Sequence, residues 1–121
     1  IIVKDRMIIS DGYNGTPSGF ENCCEDENGL TRWDVLHAEA NAILNSTKDL
    51  HGSRVYVALF PCNECTKLII QSGIKEIIYL SDKYKDTDSV KASKKMLDMA
   101  KVTYRQLDLG DHKIEIDFKI G

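Results

Sequence analysis

The stretch RVYVALFPCNEC, residues 54–65, reads as a strand running into a helix. Arg54 to Leu59 is β-branched and aromatic, the composition of a buried strand. Pro61 suits a first helical turn, where a missing N–H costs little. The helix is expected from Cys62 to Ser72, with Leu68 and Ile69 toward the core and Gly73 as its C-terminal stop. Glu76 to Leu80 (EIIYL) is then another strand. Strand, helix and strand in this order imply parallel pairing with a crossover helix on the sheet.

The same grammar extends outward in both directions. Downstream, Thr87 to Ala100 reads as a helix whose apolar face is Val90, Met96, Leu97 and Ala100, and Val102 to Leu107 as a strand. Upstream, Trp33 to roughly Thr47 reads as a helix with Ala38, Ala40, Ala42, Ile43 and Leu44 as its apolar content. Ile1 to Val3 and the strand from Met7 form a hairpin about Lys4, Asp5 and Arg6. In the tail, Ile114, Ile116, Phe118 and Ile120 alternate with Lys113, Glu115, Asp117 and Lys119, the pattern of a half-buried edge strand. The expected fold is α/β, a three-layer α-β-α sandwich. Its mixed central sheet has about five strands with crossover helices, plus a C-terminal edge strand. Residues 1–121 make one domain. Because the first residues already read as a strand, an N-terminal helix is expected to be missing from the chain.

Residues 11–32 form a long loop rich in Gly, Asn, Ser, Thr and acids, turn-rich at Gly12, Gly15, Pro17 and Gly19. The 121 residues are 42% hydrophobic and 29% charged, an ordinary globular balance that excludes collagen, wholesale disorder and a disulfide-dense miniprotein. No apolar run approaches the ~20 residues needed to span a bilayer. The net charge of −3 argues against a grip on a long nucleic acid, which usually needs a basic excess. The absence of a charged-then-apolar leader sets the expectation of a cytoplasmic, reducing setting, where cysteines more often bind metal or do chemistry than pair.

Two pieces carry that chemistry. His37-Ala38-Glu39 opens one helix and Pro61-Cys62-Asn63-Glu64-Cys65 opens the next. His37, Cys62 and Cys65 offer one nitrogen and two sulfurs to a zinc ion, which prefers four ligands and so keeps one corner for water. Cys62 and Cys65 are three apart, on one face of a helical turn whose N-terminal dipole favours thiolates. Glu39, two residues past His37, is placed beside the metal as a proton carrier. A redox C-x-x-C, a structural zinc site and a merely solvated Glu39 are the competing readings. The redox reading leaves His37 and Glu39 unexplained, and a structural site has no evident fourth ligand nearby. H-x-E followed by P-C-x-x-C is the signature of zinc nucleobase deaminases, and 24 residues separate His37 from Cys62 here.

The resemblance is narrower than a signature. GYNGTP at 12–17, the HAE triplet, VALFPCNECTKLIIQSGIKEIIYLSDKY at 57–84 and the following Asp86-Thr87-Asp88 are similar to the deoxycytidylate deaminases over nearly the whole chain. The resemblance implies the cytidine-deaminase-like version of the fold and zinc-dependent hydrolysis of dCMP to dUMP with release of ammonia, feeding thymidylate synthesis. Glu39 would protonate the ring N3 and later the departing amine. It also implies substrate contacts from the backbone N–H of Ala38, from Asn14 at the sugar, from Pro61, and from Tyr84 near the sugar-phosphate end. Asn14 is alternatively a turn residue, and Tyr84 a half-buried loop aromatic.

Members of this family are commonly hexamers, activated by dCTP and inhibited by dTTP with Mg²⁺. By that likeness Gly12, Asn14, Gly15, Glu21 and Asn22 are effector-site candidates, against the plainer reading of a surface loop. No nucleic-acid polymer and no membrane is expected as a partner. Cys23 and Cys24 are either buried thiols or, with His51 or His112, part of a second structural zinc site. The sequon at Asn45-Ser46-Thr47 is read as chance. Two other functions fit a zinc site alone: deamination of a different base, such as one in a polynucleotide, and a non-catalytic nucleotide-sensing zinc module.

Overall fold

The structure, a computed structural model, describes residues 1–15 and 36–108. Strands β1 (Ile2–Lys4) and β2 (Met7–Ser10) precede helix α1 (Ala38–Leu44). Then come β3 (Arg54–Leu59), α2 (Asn63–Ser72), β4 (Glu76–Ser81), α3 (Asp88–Ala100) and β5 (Thr103–Gln106). The sheet order is β2-β1-β3-β4-β5. β1 runs antiparallel to both its neighbours, whereas β3, β4 and β5 are parallel. This is the mixed five-stranded α/β sheet that the alternation of patterns demands. The expected tail strand lies outside the described residues.

Local chemistry accounts for the joints. The β1–β2 turn is two residues, Asp5 at φ 52° and Arg6 at φ 66°, the doubly left-handed geometry that matches the twist of a tight hairpin. Lys4, read as a turn residue, is the last residue of β1 and sits opposite Met7. Gly73 ends α2 at φ 87° with its N–H on the Ile70 carbonyl. A Cβ there would lie 2.4 Å from the His51 ring, so both conformation and space require glycine.

Ile2, Val55, Ile77 and Leu97, each at most 1% exposed, centre the core. Ala42 and Ile43 of α1, Ile69 and Ile70 of α2, and Val90 and Leu97 of α3 pack into one cluster with Val55, Val57, Ile77 and Tyr79 of the sheet. Side chains alternate along a strand, so the three helices share one face of the sheet. The expected third layer has no helix among the described residues. Ile78, pointing to the opposite face, is 1% exposed all the same.

Several apolar positions fall elsewhere than expected. Leu44, Leu68 and Ala100 are exposed, and Met96 is half-buried. Helical rotation explains Leu68: Cys65, Thr66 and Ile69 occupy the inward stripe of α2, and Leu68 stands about 100° from Ile69. On α3 a serine, Ser93, takes a fully buried place between Val90 and Leu97. Helix α1 is shorter than the predicted Trp33–Thr47. Leu36 forms a two-way backbone bridge with Gly15, at 3.0 and 2.6 Å, and His37 is still extended at φ −69°, ψ 153°. Helix geometry therefore starts only at Ala38, and Asn45 caps its end.

Candidate active site

The two motifs converge where the N-terminal ends of α1 and α2 face each other. His37 is the N-cap of α1, and its side chain makes no capping hydrogen bond. Its imidazole points to α2, with Nδ1 at 3.4 Å from the sulfurs of both Cys62 and Cys65. Cys62 is in turn the N-cap of α2. Its sulfur accepts the Cys65 N–H at 3.5 Å, and its carbonyl accepts the Thr66 N–H at 2.9 Å. A strand that ends at Leu59 and a helix that starts at Asn63 leave only Phe60, Pro61 and Cys62 to turn the chain, which fixes where the first sulfur lies.

The donor set can be tested against zinc. All three ligand atoms lie within 4.8 Å of one another. Tetrahedral zinc with Zn–S near 2.3 Å and Zn–N near 2.05 Å separates N from S by about 3.6 Å. The observed 3.4 Å to each sulfur is close to that edge. One imidazole and two thiols that already hold this spacing fit zinc and leave a fourth corner for a small molecule.

The two thiols are driven in opposite directions. The hydrogen bond with Cys65 leads in drawing the Cys62 thiol down to about 5, helped by the Cys65 N–H and by His37 against burial. Cys65 moves the opposite way, because it donates to Cys62 and is buried beside Glu39. Burial pushes the Glu39 carboxyl above the usual carboxylate range, opposed by its own backbone N–H and by His37. Glu39 lines the same cleft as His37 and Cys62. The carboxyl thus stands beside the ligand cluster without belonging to it.

These groups open on a cleft of about 790 Å³ lined by Gly12, Tyr13, Asn14, His37, Ala38, Glu39, Cys62 and Tyr84, with Tyr56 to Phe60 along one wall. Asn14 accepts the Ala38 N–H on its side-chain oxygen at 2.9 Å. That N–H is the donor expected to meet a pyrimidine carbonyl. Tyr84 is 52% exposed at the cleft, with Lys83 Nζ 5.1 Å from its ring centre. Pro61 departs from expectation. It is fully buried behind the loop and absent from the cleft lining, its carbonyl accepting from Ser93 at 2.9 Å. Its rigid ring shapes the turn.

Gly12 and Gly15 both have backbone duties, Gly12 against α1 and Gly15 in the bridge to Leu36. Glu21, Asn22, Cys23, Cys24 and His112 lie outside the described residues. His51 stands apart from the cluster, bonded to Asp49 at 2.6 Å. Sequence reasoning missed the wall from Tyr56 to Phe60, although its signal was present: ligands bind at the carboxyl ends of parallel strands. It also missed Asn41, whose side-chain amide donates to the Tyr13 carbonyl at 3.0 Å and holds the glycine-rich segment to α1.

A family model described as the cytidine and deoxycytidylate deaminase zinc-binding region matches residues 1–81, more than half of the chain. The chain belongs to this family. It is 47% identical to the deoxycytidylate deaminase of Homo sapiens over 129 aligned residues, covering 98% of this chain and 71% of that protein. It is 36% identical to ComE operon protein 2 of Bacillus subtilis, over 95% of this chain and 62% of that one. Among solved structures, the dCMP deaminase from the cyanophage S-TIM5 in complex with dCMP and dUMP superposes with a TM-score of 0.75. The two are 39% identical, across 88% of this chain and 78% of the phage chain. Family membership makes the chain a hydrolytic deaminase with a zinc-binding region, and its His37, Cys62 and Cys65 supply the matching donors. No helix among the described residues is long and apolar enough to cross a membrane.

Proposed function

We propose that this deaminase converts dCMP to dUMP. The observation that carries the reading is the half-buried Glu39 carboxyl beside a ligand triangle of His37, Cys62 and Cys65, on a cleft of nucleotide size. The substrate comes from relatives: proteins named for deoxycytidylate at 47% identity, and a phage structure holding dCMP and dUMP.

In this reading His37, Cys62 and Cys65 hold zinc, which supplies Lewis-acid activation of a water molecule. The chain's own residues do the remaining work. The Ala38 N–H, held by the Asn14 oxygen in the free protein, is exchanged to the pyrimidine carbonyl as Asn14 turns to the sugar, and Tyr84 closes the exposed end of the cleft. Water adds at C4, the C4–N4 bond breaks, and a carbonyl remains. Of the two water protons, one ends on N3 and the other leaves on ammonia. Glu39 carries both, and its raised pKa suits a group that must accept and then return a proton. Tyr56 to Phe60 wall the base off from bulk water.

The finer parts of the reading rest on likeness alone. The GYNGTP loop supports activation by dCTP and inhibition by dTTP with Mg²⁺, and the same likeness supports a hexameric homo-oligomer serving thymidylate synthesis in the cytoplasm. Loss of cytosine absorbance, followed with dCMP, CMP and deoxycytidine side by side, tests the assignment. The expected result is strong preference for dCMP. Equal turnover of deoxycytidine rejects the mononucleotide reading. A rate indifferent to dCTP and dTTP rejects the regulatory one, and a monomeric mass by light scattering rejects the hexamer.

A further inference from the structure

The loop that carries Cys62 is not fixed by its own helix alone. Two serines of α3 reach across to it. The Ser93 hydroxyl, 0% exposed, lies 2.9 Å from the Pro61 carbonyl and 3.0 Å from the Ser89 carbonyl, and shares one proton between them. The Ser89 hydroxyl accepts the Asn63 N–H at 3.1 Å and donates to the Asn63 side-chain oxygen at 3.0 Å. Asn63 is the first residue of α2, and its N–H is one of the donors that a helix leaves without an internal partner. Besides the Cys62 sulfur, which caps α2 at the Cys65 N–H, a second partner for the first turn of α2 is thus supplied by a different helix. The residues on both sides of Cys62 are tied to α3, while the Cys62 sulfur faces His37.

Resting on the zinc reading above, we propose that Ser89 and Ser93 are positioning residues for the metal. They clamp Pro61 and Asn63 so that the Cys62 sulfur stays on the triangle with His37 Nδ1 and Cys65. A hydroxyl buried on the apolar stripe of a helix needs such a reason, since Ala in the same space would avoid burying a polar group. Groups that orient metal ligands from behind typically change metal affinity about 10–100-fold when removed.

The test measures zinc release from the full chain into excess chromophoric chelator, together with melting of the metal-free protein. Ser93→Ala removes the buried hydroxyl with almost no change in volume. Ser89→Ala is a second probe at a half-buried position that tolerates truncation, and Ser89→Thr restores a hydroxyl there. The expected result is zinc release at least about tenfold faster in both alanine variants. Ser89→Thr should return toward the native rate, and metal-free melting should move far less than metal-loaded melting. Native release rates in both alanine variants overturn the proposal. So does equal destabilisation of metal-free and metal-loaded protein, which marks the serines as ordinary packing. A native chain that binds no zinc at all overturns the metal reading first, and is recognised by its metal content before any variant is made.

Discussion

The Asn14 side-chain oxygen accepts the Ala38 backbone N–H at 2.9 Å, bridging the glycine-rich segment to the first residue of α1. One residue thereby serves both local structure and the ligand cleft. Asn14→Ala removes a cap worth about 1 kcal/mol and, in the proposed complex, a substrate hydrogen bond of similar size. KM for dCMP should rise about fivefold, with kcat nearly unchanged because Glu39 and the ligand triangle are untouched. Steady-state kinetics decide it: an unaltered KM leaves Asn14 with only its capping role.

Glu39→Gln keeps shape and hydrogen-bonding capacity but cannot accept a proton. Turnover should fall by about 10²–10⁴. Zinc content should stay that of the native chain, since Glu39 lies beside the triangle and is not one of its three donors. Metal analysis and absorbance assays on the same preparation separate the two effects. A native rate would falsify the proton-carrier role.

Gly12 has a role its loop-like surroundings concealed. A Cβ there would lie 2.5 Å from both the Ala38 carbonyl oxygen and the Ala42 nitrogen, all backbone of α1. Gly12→Ala should therefore force the segment off the helix and destabilise the protein by about 1–3 kcal/mol, whatever nucleotide is present. Urea unfolding with and without dCTP reads this directly. A variant of native stability that lost only its response to dCTP would return Gly12 to the effector site.

What could be read from the sequence follows from how local each signal is. The β3–α2–β4 unit was legible because composition, Pro61 and Gly73 agree over a short window, and the structure places its boundaries within a residue. His37, Glu39, Cys62 and Cys65 were legible because zinc chemistry restricts residue type as well as spacing. The start of α1 was not, because it is decided by the Gly15–Leu36 bridge, a contact between segments with no trace in helix propensity. Pro61 was misplaced for a related reason. The next residue in sequence is the candidate ligand Cys62, but the partner of its carbonyl is Ser93, 32 residues away. Ser89 and Ser93 look like solvated helix serines until α3 is packed against α2.

Lys94 offers a pH signature away from the site. Its ammonium lies 2.7 Å from Asp82 Oδ2 and 5.1 Å from the Phe60 ring centre, joining α3 to the chain just past β4. The hydrogen bond with Asp82 is the main cause that raises the Lys94 pKa above its ordinary value. A raised folded-state pKa means stabilisation that is fully present below the unfolded value, about 10.4, and is lost as pH climbs through the folded one. Lys94→Met keeps most of the stem packed on Phe60 but removes the charge, and should cost on the order of 1 kcal/mol at neutral pH. The gap between native and variant should narrow in alkali, where the native lysine is also neutral. Comparing both proteins by urea unfolding at neutral pH and above pH ~11 reads the loss of the Lys94 charge. A gap that stays constant across that range assigns the stabilisation to packing on Phe60 and not to the charge on Lys94.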